Sequence, residues 1–244
     1  MTHVHDQAHH PPVASASGAS PAMPAPSVEA KDDPRARELL RRASEKNYRW
    51  PAGFGGFRAE LAVAQAGLIA KGRVEVRSPR EVSIDCDNPS VREWLGGQIS
   101  MMAAHRASRR FEETDGKYVL TLGEDDGHPM GRLLKLHGDG MNSRYRILGD
   151  HITQVTRDMG QMTLTINVED SLTTQDDRHL TTRYVIYYFS PADRSLMNAE
   201  SFADRYAVVD GVYLPAVCRV SSVTGGELLT RELRFTAHEL LSRS

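Results

Sequence analysis

Residues 161–169 read QMTLTINVE, and this stretch is the clearest guide to the fold. Apolar and polar side chains alternate strictly in it: one set is Met162, Leu164, Ile166 and Val168, and the other is Thr163, Thr165 and Asn167. Successive side chains of a strand point to opposite faces of its sheet. A period of two therefore predicts a β-strand with one buried face and one wet face.

The same alternation extends outward from this stretch, over residues 57–86 on one side and 117–238 as a whole. Glycine joins the segments at 138–140, 149–150, 210–211 and 225–226, which is typical of hairpin turns. No strand–helix–strand rhythm is present. The sequence therefore predicts a mainly β (α+β) fold, a strongly curved antiparallel sheet or half-barrel of about ten to twelve strands.

A helix is predicted in front of the sheet. Asp32 or Asp33 can cap it, and Pro34 suits its first turn. Its apolar residues fall at helical spacing and form one stripe: Ala36, Leu39, Leu40 and Ala43. We expect Pro51 and the glycines of residues 53–56 to end this N-terminal helix.

A second, longer helix interrupts the strands. It is predicted from Val91 to about Arg110, after the stop and cap at residues 88–90. Three- and four-residue spacing gives it an amphipathic stripe of Val91, Trp94, Leu95, Ile99, Met102 and Ala103. We expect this inserted helix to pack on the concave face of the sheet.

Residues 1–32 differ in composition from the rest of the 244-residue chain, because they are rich in His, Pro and Ala and contain no aromatic residue. Such a segment buries too little apolar surface to offset the entropy of ordering it. The sequence therefore predicts a disordered tail over 1–32 and a single β domain over 33–244.

Charge and composition exclude several classes of protein. The 30 basic and 32 acidic residues give a formal net charge of -2, which argues against a nucleic-acid binder. Cys86 and Cys218 form no CxxC pair, so no zinc–cysteine site is predicted. No apolar run is long enough for a membrane span, and the first 30 residues lack the apolar core of a signal peptide. We therefore expect a cytoplasmic location.

The motifs of common catalytic sites are missing from the sequence, among them the nucleophile elbow, the phosphate loop and the HExxH zinc motif. The sequence identifies no cofactor. Candidate functional residues must therefore be sought among side chains that the fold brings together.

The inserted helix supplies the first candidates. If it covers a cavity in the curved sheet, we expect a ligand to contact Trp94, Met101, Met102, His105, Arg106, Arg109, Met162 and Leu164. His105 could ligate a cofactor, act as an acid or base, or hold an anionic ligand together with Arg106 or Arg109. The alternative is a histidine bonded to a strand carbonyl, with arginines paired to Glu112 and Glu113.

The tail supplies a second set of candidates, namely His3, His5, His9 and His10. Neutral imidazoles are ligands for Zn²⁺, Ni²⁺ or Cu²⁺, so the tail is predicted to bind a divalent metal weakly. The alternative is a flexible polar tail with incidental affinity for metals.

Polar residues within the predicted strands form a third set. Glu200 and Asp204 share one face of a strand, and two carboxyl groups can carry out acid–base chemistry. The alternative is pairing with Arg183 or Arg219 across neighbouring strands. The other polar residues of this set are Arg157, Asp158, Asn167, Glu169, Tyr187 and Arg205.

Four stretches also carry a family resemblance: NYRWPAGFGGFRAEL at 47–61, SVREWLGGQISMMAAHRASRRFEET at 90–114, GDGMNSRYRILGDHITQVTRDMGQMTLTINVED at 138–170, and FADRYAVVDGVYLPAVCRVSS at 202–222. Together they resemble the DUF3386 family, whose bacterial members have no characterised function. The strand pattern and the phrase VDGVYLPA are similar, more distantly, to the LolA/LolB half-barrels. The resemblance implies a half-barrel fold and, from the LolA likeness, a hydrophobic ligand.

Three functions remain as hypotheses from the sequence. The first is a non-enzymatic protein that holds a lipid, an isoprenoid or a pigment between curved sheet and helix. The second is a cavity-type isomerase or cyclase acting on an apolar metabolite. The third is a metal- or heme-linked accessory protein that uses the tail histidines and His105.

Overall fold

A computed structural model of the protein describes residues 30–224 and 226–242. This part of the chain contains two α-helices, α1 (Pro34–Lys46) and α2 (Pro89–Arg106), and two short 3₁₀ turns, Phe111–Glu113 and Asp115–Lys117. Its strands are β1 (Phe57–Gln65), β2 (Leu68–Ser78), β3 (Glu81–Cys86), β4 (Val119–Leu122), β5 (Arg132–His137), β6 (Arg144–Leu148), β7 (His151–Asp158), β8 (Thr163–Thr173), β9 (His179–Phe189), β10 (Leu196–Val209), β11 (Val212–Thr224) and β12 (Glu227–Leu240).

The strands form one antiparallel sheet of 12 strands in the order β3-β2-β1-β12-β11-β10-β9-β8-β7-β6-β5-β4. β4 to β12 form a continuous meander, and β12 then pairs with β1, for example at Leu61 opposite Phe235. The sheet is curved and does not close, because β3 and β4 remain its two edges. The predicted mainly β fold with a strongly curved antiparallel sheet is therefore confirmed.

α1 begins where the sequence predicted, with Asp33 as the cap. The Asp33 carboxylate accepts a hydrogen bond from the Arg35 amide at 2.8 Å. The helix ends at Lys46, however, and not at Pro51 as predicted. Asn47 is already extended, and the Tyr48 amide leaves the helical pattern to donate to the carbonyl of His179. The buried face of α1 packs at the β4–β6 end of the sheet against Phe111, Leu120, Leu134, Leu136, Tyr145 and Ile147.

α2 lies at the other end of the concave face. The Asn88 side chain caps it by accepting from the Val91 amide at 3.2 Å. It ends at Arg106 rather than at the predicted Arg110, because the chain must turn there to bring Phe111 into the apolar cluster beneath α1. Its buried residues Val91, Leu95, Ile99 and Ala103 pack with inward side chains of β1, β2 and β12, among them Ala59, Leu61, Val63, Leu233 and Phe235.

A short strap, defined here as Asn47–Trp50, ties the C-terminal ends of both helices to the sheet. The Trp50 amide donates to the carbonyl of Arg106 at 2.8 Å, at the end of α2. The Trp50 indole donates to the carbonyl of Tyr213 at 3.1 Å, and the Tyr48 hydroxyl accepts from the Tyr213 amide at 2.9 Å. Both aromatic rings are buried, so the strap holds a fixed position between helices and sheet.

The predicted tail lies, up to residue 29, outside the described residues. Asp32 is described and joins the first helix to the sheet edge: its carboxylate accepts from the Leu120 amide of β4 at 2.9 Å and binds the Arg37 guanidinium. Among the described residues, no helix combines the length and the apolar character needed to cross a bilayer.

We predict that two glycine-to-alanine changes will alter stability in opposite directions. A Cβ at Gly72 of β2 would overlap the Asp85 carbonyl of β3, whereas a Cβ on the exposed Gly97 of α2 meets nothing within 4 Å. Gly72→Ala should lower the free energy of unfolding by about 1–3 kcal/mol through overpacking, and Gly97→Ala should raise it by about 0.5–1 kcal/mol. Urea denaturation of both variants measures the free energy of unfolding. If both variants were as stable as each other, the close approach of Gly72 to the Asp85 carbonyl would be contradicted.

Candidate functional site

A cavity of about 250 Å³ lies in the concave face, between the C-terminal ends of the two helices and the central strands. Its walls differ in character. The strands contribute one apolar wall, while the helix ends, the strap and β7 contribute a wall of positively charged side chains. The presence of one apolar wall and one positively charged wall determines which ligands the cavity can bind.

The apolar wall follows from the alternation in β8. Ile166 and Val168 line the cavity with Phe202 of β10, and Leu164 lies on the same face of the sheet. The apolar set of residues 161–169 therefore faces the concave side. Further apolar side chains that line the cavity are Ile99, Met102, Tyr184, Leu233 and Phe235.

Four arginines line the other wall, and they come from separate parts of the chain. Arg49 belongs to the strap, Arg106 ends α2, Arg109 follows it, and Arg157 belongs to β7. The strap orients Arg49: its neighbours Tyr48 and Trp50 are buried against the sheet, and its guanidinium donates to the Ser44 carbonyl at 2.8 Å.

Arg106 is fixed by a tyrosine of β10. Its guanidinium donates to the Tyr206 hydroxyl at 2.8 Å, and that hydroxyl donates in turn to the Thr181 carbonyl at 2.9 Å. Burial raises the pKa of Tyr206 to about 12, so this hydroxyl keeps its proton at neutral pH. The pair sets the position of Arg106 without neutralising its charge.

Arg157 is held in a similar way. It donates to the Tyr145 hydroxyl at 3.0 Å, and Tyr145 lies 3.2 Å from a carboxylate oxygen of Asp115, to which it donates. Burial, followed by the Asp115 charge, raises the pKa of Tyr145 to about 12. A neutral phenol thus stands between this arginine and the carboxylate.

His105 lies among these arginines and lines the cavity. Burial lowers its pKa from 6.5 to about 4, together with the positive charges of Arg106, Arg109, Arg157 and Arg49. The residue as a whole keeps contact with solvent, and the repulsion by the arginines adds to the effect of burial on its ring. His105 is therefore neutral at pH 7, and it is a weak base.

A protonatable carboxyl group lies in the apolar wall. Burial raises the pKa of Asp204 and also that of Cys218, whose thiol shares a hydrogen bond with this carboxyl group. One Asp204 oxygen is buried without a hydrogen-bond partner among the described residues. A carboxyl group with a raised pKa in a cavity is a candidate acid or base.

Two histidines and an aspartate meet at the cavity edge. Asp150 lies 3.0 Å from the Nε2 of His179 and 3.1 Å from the Nδ1 of His151, and donor atoms of the three lie within 4.8 Å of one another. Such a set suits Zn²⁺ or Fe²⁺. The rings are stacked at 3.4 Å, however, and nearly parallel rings cannot both direct their in-plane lone pairs at one ion. The geometry fits a hydrogen-bonded cluster.

The structure brings together five of the eight ligand contacts predicted from the sequence: Met101, Met102, His105, Arg106 and Arg109 all line the cavity. Leu164 lies on the concave face, but in an apolar cluster beside the cavity. Trp94 packs into that cluster too, with the Arg231 guanidinium over its ring at 4.6 Å. Met162 belongs to the turn before β8 and does not line the cavity.

The alternatives for the charged residues can also be compared with the structure. Glu112 pairs with Arg41 and not with the arginines of the cavity. Glu200 accepts a hydrogen bond from the Tyr188 hydroxyl, and Arg183 pairs with Glu169. The tail histidines His3, His5, His9 and His10 lie outside the described residues, so their metal binding stays a prediction.

Several residues of the site escaped the sequence interpretation, notably Arg49, Asp115, Tyr145 and the Asp150 cluster. Arg49 had one usable signal, since it stands between two aromatic residues in a segment that resembles a family motif. Tyr145 and Asp115 had none, because they come from separate elements that only the curved sheet brings together.

A model of a protein family matches residues 31–241, and its description is "Protein of unknown function (DUF3386)". The resemblance predicted from the sequence is thereby confirmed. No protein of curated function matches the chain.

Two solved structures are similar to the chain. A LolA superfamily protein from Nitrosomonas europaea is 12% identical, covers 86% of this chain and 94% of its own, and has a TM-score of 0.38. An outer membrane lipoprotein-sorting protein domain from Vibrio parahaemolyticus is 10% identical, covers 84% of this chain and 92% of its own, and has a TM-score of 0.33.

We predict that His105 titrates well below the usual range of histidine, near pH 4, because burial and then the surrounding positive charges disfavour its protonated form. Arg109→Gln should raise this pKa by roughly half a unit, since it removes one nearby charge. Arg110→Gln is the matched control, because Arg110 does not line the cavity. NMR titration of the imidazole signals, with His105→Gln for assignment, measures both. A midpoint near 6.5 in the wild type would contradict the lowered pKa, and an unchanged midpoint in Arg109→Gln would contradict the contribution of the Arg109 charge.

Proposed function

The chain belongs to the DUF3386 family of proteins of unknown function, and we propose that it is a non-enzymatic binding protein. It holds a hydrophobic small molecule, such as a lipid, an isoprenoid or a pigment, in the cavity between the curved sheet and α2. One observation carries this proposal: beside a buried apolar cluster on the central strands, the inward side chains Ile166 and Val168 line an open cavity.

The exposure of those side chains is the main support. Ile166 and Val168 are only half-buried although they point to the concave side, whereas inward residues beneath the helices, such as Leu61 and Leu134, are buried. A ligand that covers apolar surface gains about 25 cal/mol per Å². The volume of about 250 Å³ is close to the lower end of small-molecule sites, roughly 300–1,000 Å³.

α2 also suits this role. Ile99 gives its lining a branched apolar surface, and Met101 and Met102 add two unbranched thioether side chains. Methionine adapts to irregular apolar shapes because it has three rotatable bonds and a polarisable sulfur. A helix with such side chains can fit chains or rings of different shapes against the rigid sheet.

We expect the purified protein to carry an apolar small molecule that native mass spectrometry and solvent extraction detect. After its removal, an apolar fluorescent probe should bind. Val168→Phe should weaken probe binding about tenfold, because the larger ring occupies part of the cavity. The probe then loses apolar contacts with the protein that are equivalent to about one side chain.

The matched control is Val185→Phe in the adjacent strand. Val185 pairs with Asn167 on β8, so its side chain points away from the cavity, and this variant should bind the probe normally. Thermal melting checks that both variants are folded. Equal probe binding by the two variants, with nothing extracted from the wild type, would contradict the proposal.

A second candidate function is catalysis of proton transfer on an apolar metabolite. Asp204 favours it, because its carboxyl group lines the cavity and has a raised pKa. His105 supports it less, since a base with a pKa of about 4 removes protons weakly at neutral pH.

Deuterium incorporation separates the two functions. We expect that the extracted ligand, returned to the protein in deuterated water, gains no deuterium by mass spectrometry, because a binding protein breaks no C–H bond. Incorporation that disappears in Asp204→Asn would instead establish the catalytic function. A sample of the ligand without protein controls for spontaneous exchange.

A further inference from the structure

We infer that the ligand is an amphiphile whose anionic oxygen headgroup, a carboxylate or a phosphate, binds the arginine cluster formed by Arg49, Arg106, Arg109 and Arg157. This inference rests on the proposed function and adds to it the chemical class of the ligand. The four side chains line one side of the cavity, and the apolar wall lies on the other.

The arginine cluster lacks anionic partners of its own. Among the residues that the structure describes, none of the four guanidinium groups forms an ion pair with a carboxylate. Arg49 and Arg157 make their bonds to neutral oxygens, of Ser44 and Tyr145 respectively. By contrast, arginines outside the cavity, such as Arg146 and Arg219, form bidentate or close contacts with aspartate or glutamate.

Buried nitrogen atoms in the cluster also lack partners. The Nε atoms of Arg49, Arg106 and Arg157 are inaccessible to solvent and have no hydrogen-bond acceptor among the described residues. An unsatisfied donor on a charged group is costly to bury. Arg144 outside the cavity has such an atom too, and a ligand would meet the terminal nitrogens of the guanidinium groups rather than these inaccessible Nε atoms. The absence of carboxylate partners is therefore what sets the four arginines of the cavity apart.

The carboxyl groups of the cavity do not fill this need. Asp115 accepts from the Tyr145 hydroxyl, and Asp150 is occupied by His151 and His179. Asp204 lies in the apolar wall, where burial raises its pKa and so favours the neutral form. Four guanidinium groups therefore outweigh the negative charge around them.

The positive charges act on Arg49 and His105, whereas burial at Arg157 is outweighed by Tyr145, Asp115 and Asp139, which raise the pKa of that arginine. Burial lowers the pKa of Arg49 to about 10, and repulsion by Arg109 and Arg106 contributes. The same arginines help to keep His105 neutral. A carboxylate or a phosphate would reverse this repulsion, because guanidinium groups match both oxyanions with paired, charge-assisted hydrogen bonds.

The two walls together fix the orientation of the ligand. Its apolar part would lie against Ile166, Val168 and Phe202, and its head would lie between the strap and β7. A neutral hydrophobic molecule would leave the guanidinium groups unpaired beside it. The cavity thus selects for a molecule with both parts.

The test compares ligands that share a chain and differ in the head. Decyl phosphate, decanoate and decanol are titrated against the delipidated full-length protein by displacement of the apolar probe. Both anions should bind about ten- to a hundredfold more tightly than the alcohol, as expected for one charge-assisted contact. Higher salt should reduce this preference.

Two adjacent arginines provide matched variants. Arg109 makes no hydrogen bond or ion pair with the described residues, so Arg109→Gln should fold normally and lose about tenfold in affinity for the anions. Its affinity for decanol should not change. Arg110→Gln, which changes an exposed residue outside the cavity, should bind all three ligands as the wild type does. Arg49→Gln tests a second arginine of the cluster and should also weaken binding of the two anions.

The outcomes separate this inference from the proposed function. Equal affinity for decanol and for both anions would overturn the anionic headgroup and leave the proposed binding of a hydrophobic molecule intact. If none of the three decyl ligands displaced the probe, both the anionic headgroup and the proposed binding of a hydrophobic molecule would be overturned. Inorganic phosphate that competes as strongly as decyl phosphate would show a site for a free oxyanion and overturn the amphiphile.

Discussion

The hydrogen bond from the Trp50 amide to the carbonyl of Arg106, at 2.8 Å, joins the two helices at the point on which the site depends. It forms because the strap is fixed on its other side by Tyr48 and Trp50, which bond with Tyr213 of β11. The C-terminal ends of α1 and α2 are thereby held over the central strands. This contact therefore holds Arg49 of the strap close to Arg106 at the end of α2, on the charged side of the cavity.

The sheet supplies the complementary constraint. Its 12 strands bend far enough for the apolar cluster beneath α1 and the apolar cluster beneath α2 to form at opposite ends of one concave face. In the middle of that face, Trp94 of α2 covers part of the apolar cluster around Phe202, and Ile166 and Val168 of β8 line the cavity that remains. The cavity is thus the part of the concave face that the two helices do not fill, and its amphipathic character follows from the helix ends that border it.

Two ionisable groups of the cavity, His105 and Asp204, differ in the role that their surroundings favour. Burial and the nearby positive charges lower the pKa of His105 and make it a poor base, which favours binding over catalysis there. Asp204 is the group that departs from this pattern, since its carboxyl lies in the apolar wall with a raised pKa. The sequence pointed to both residues, but only their surroundings distinguish an electrostatic role from an acid–base role.

Local patterns in the sequence determined the elements: the alternation of residues 161–169, the glycine turns, the Asp33 and Asn88 caps and the family resemblance all agree with the structure. They also placed Met101, Met102, His105, Arg106 and Arg109 on one helix end. Tertiary structure alone decided which sheet face is concave, that both helices end early, and that Arg49 and Arg157 join this group. The physical reason is that periodicity records only neighbours along the chain, whereas the curvature of the sheet and the hydrogen bonds of the strap bring together charges from distant segments.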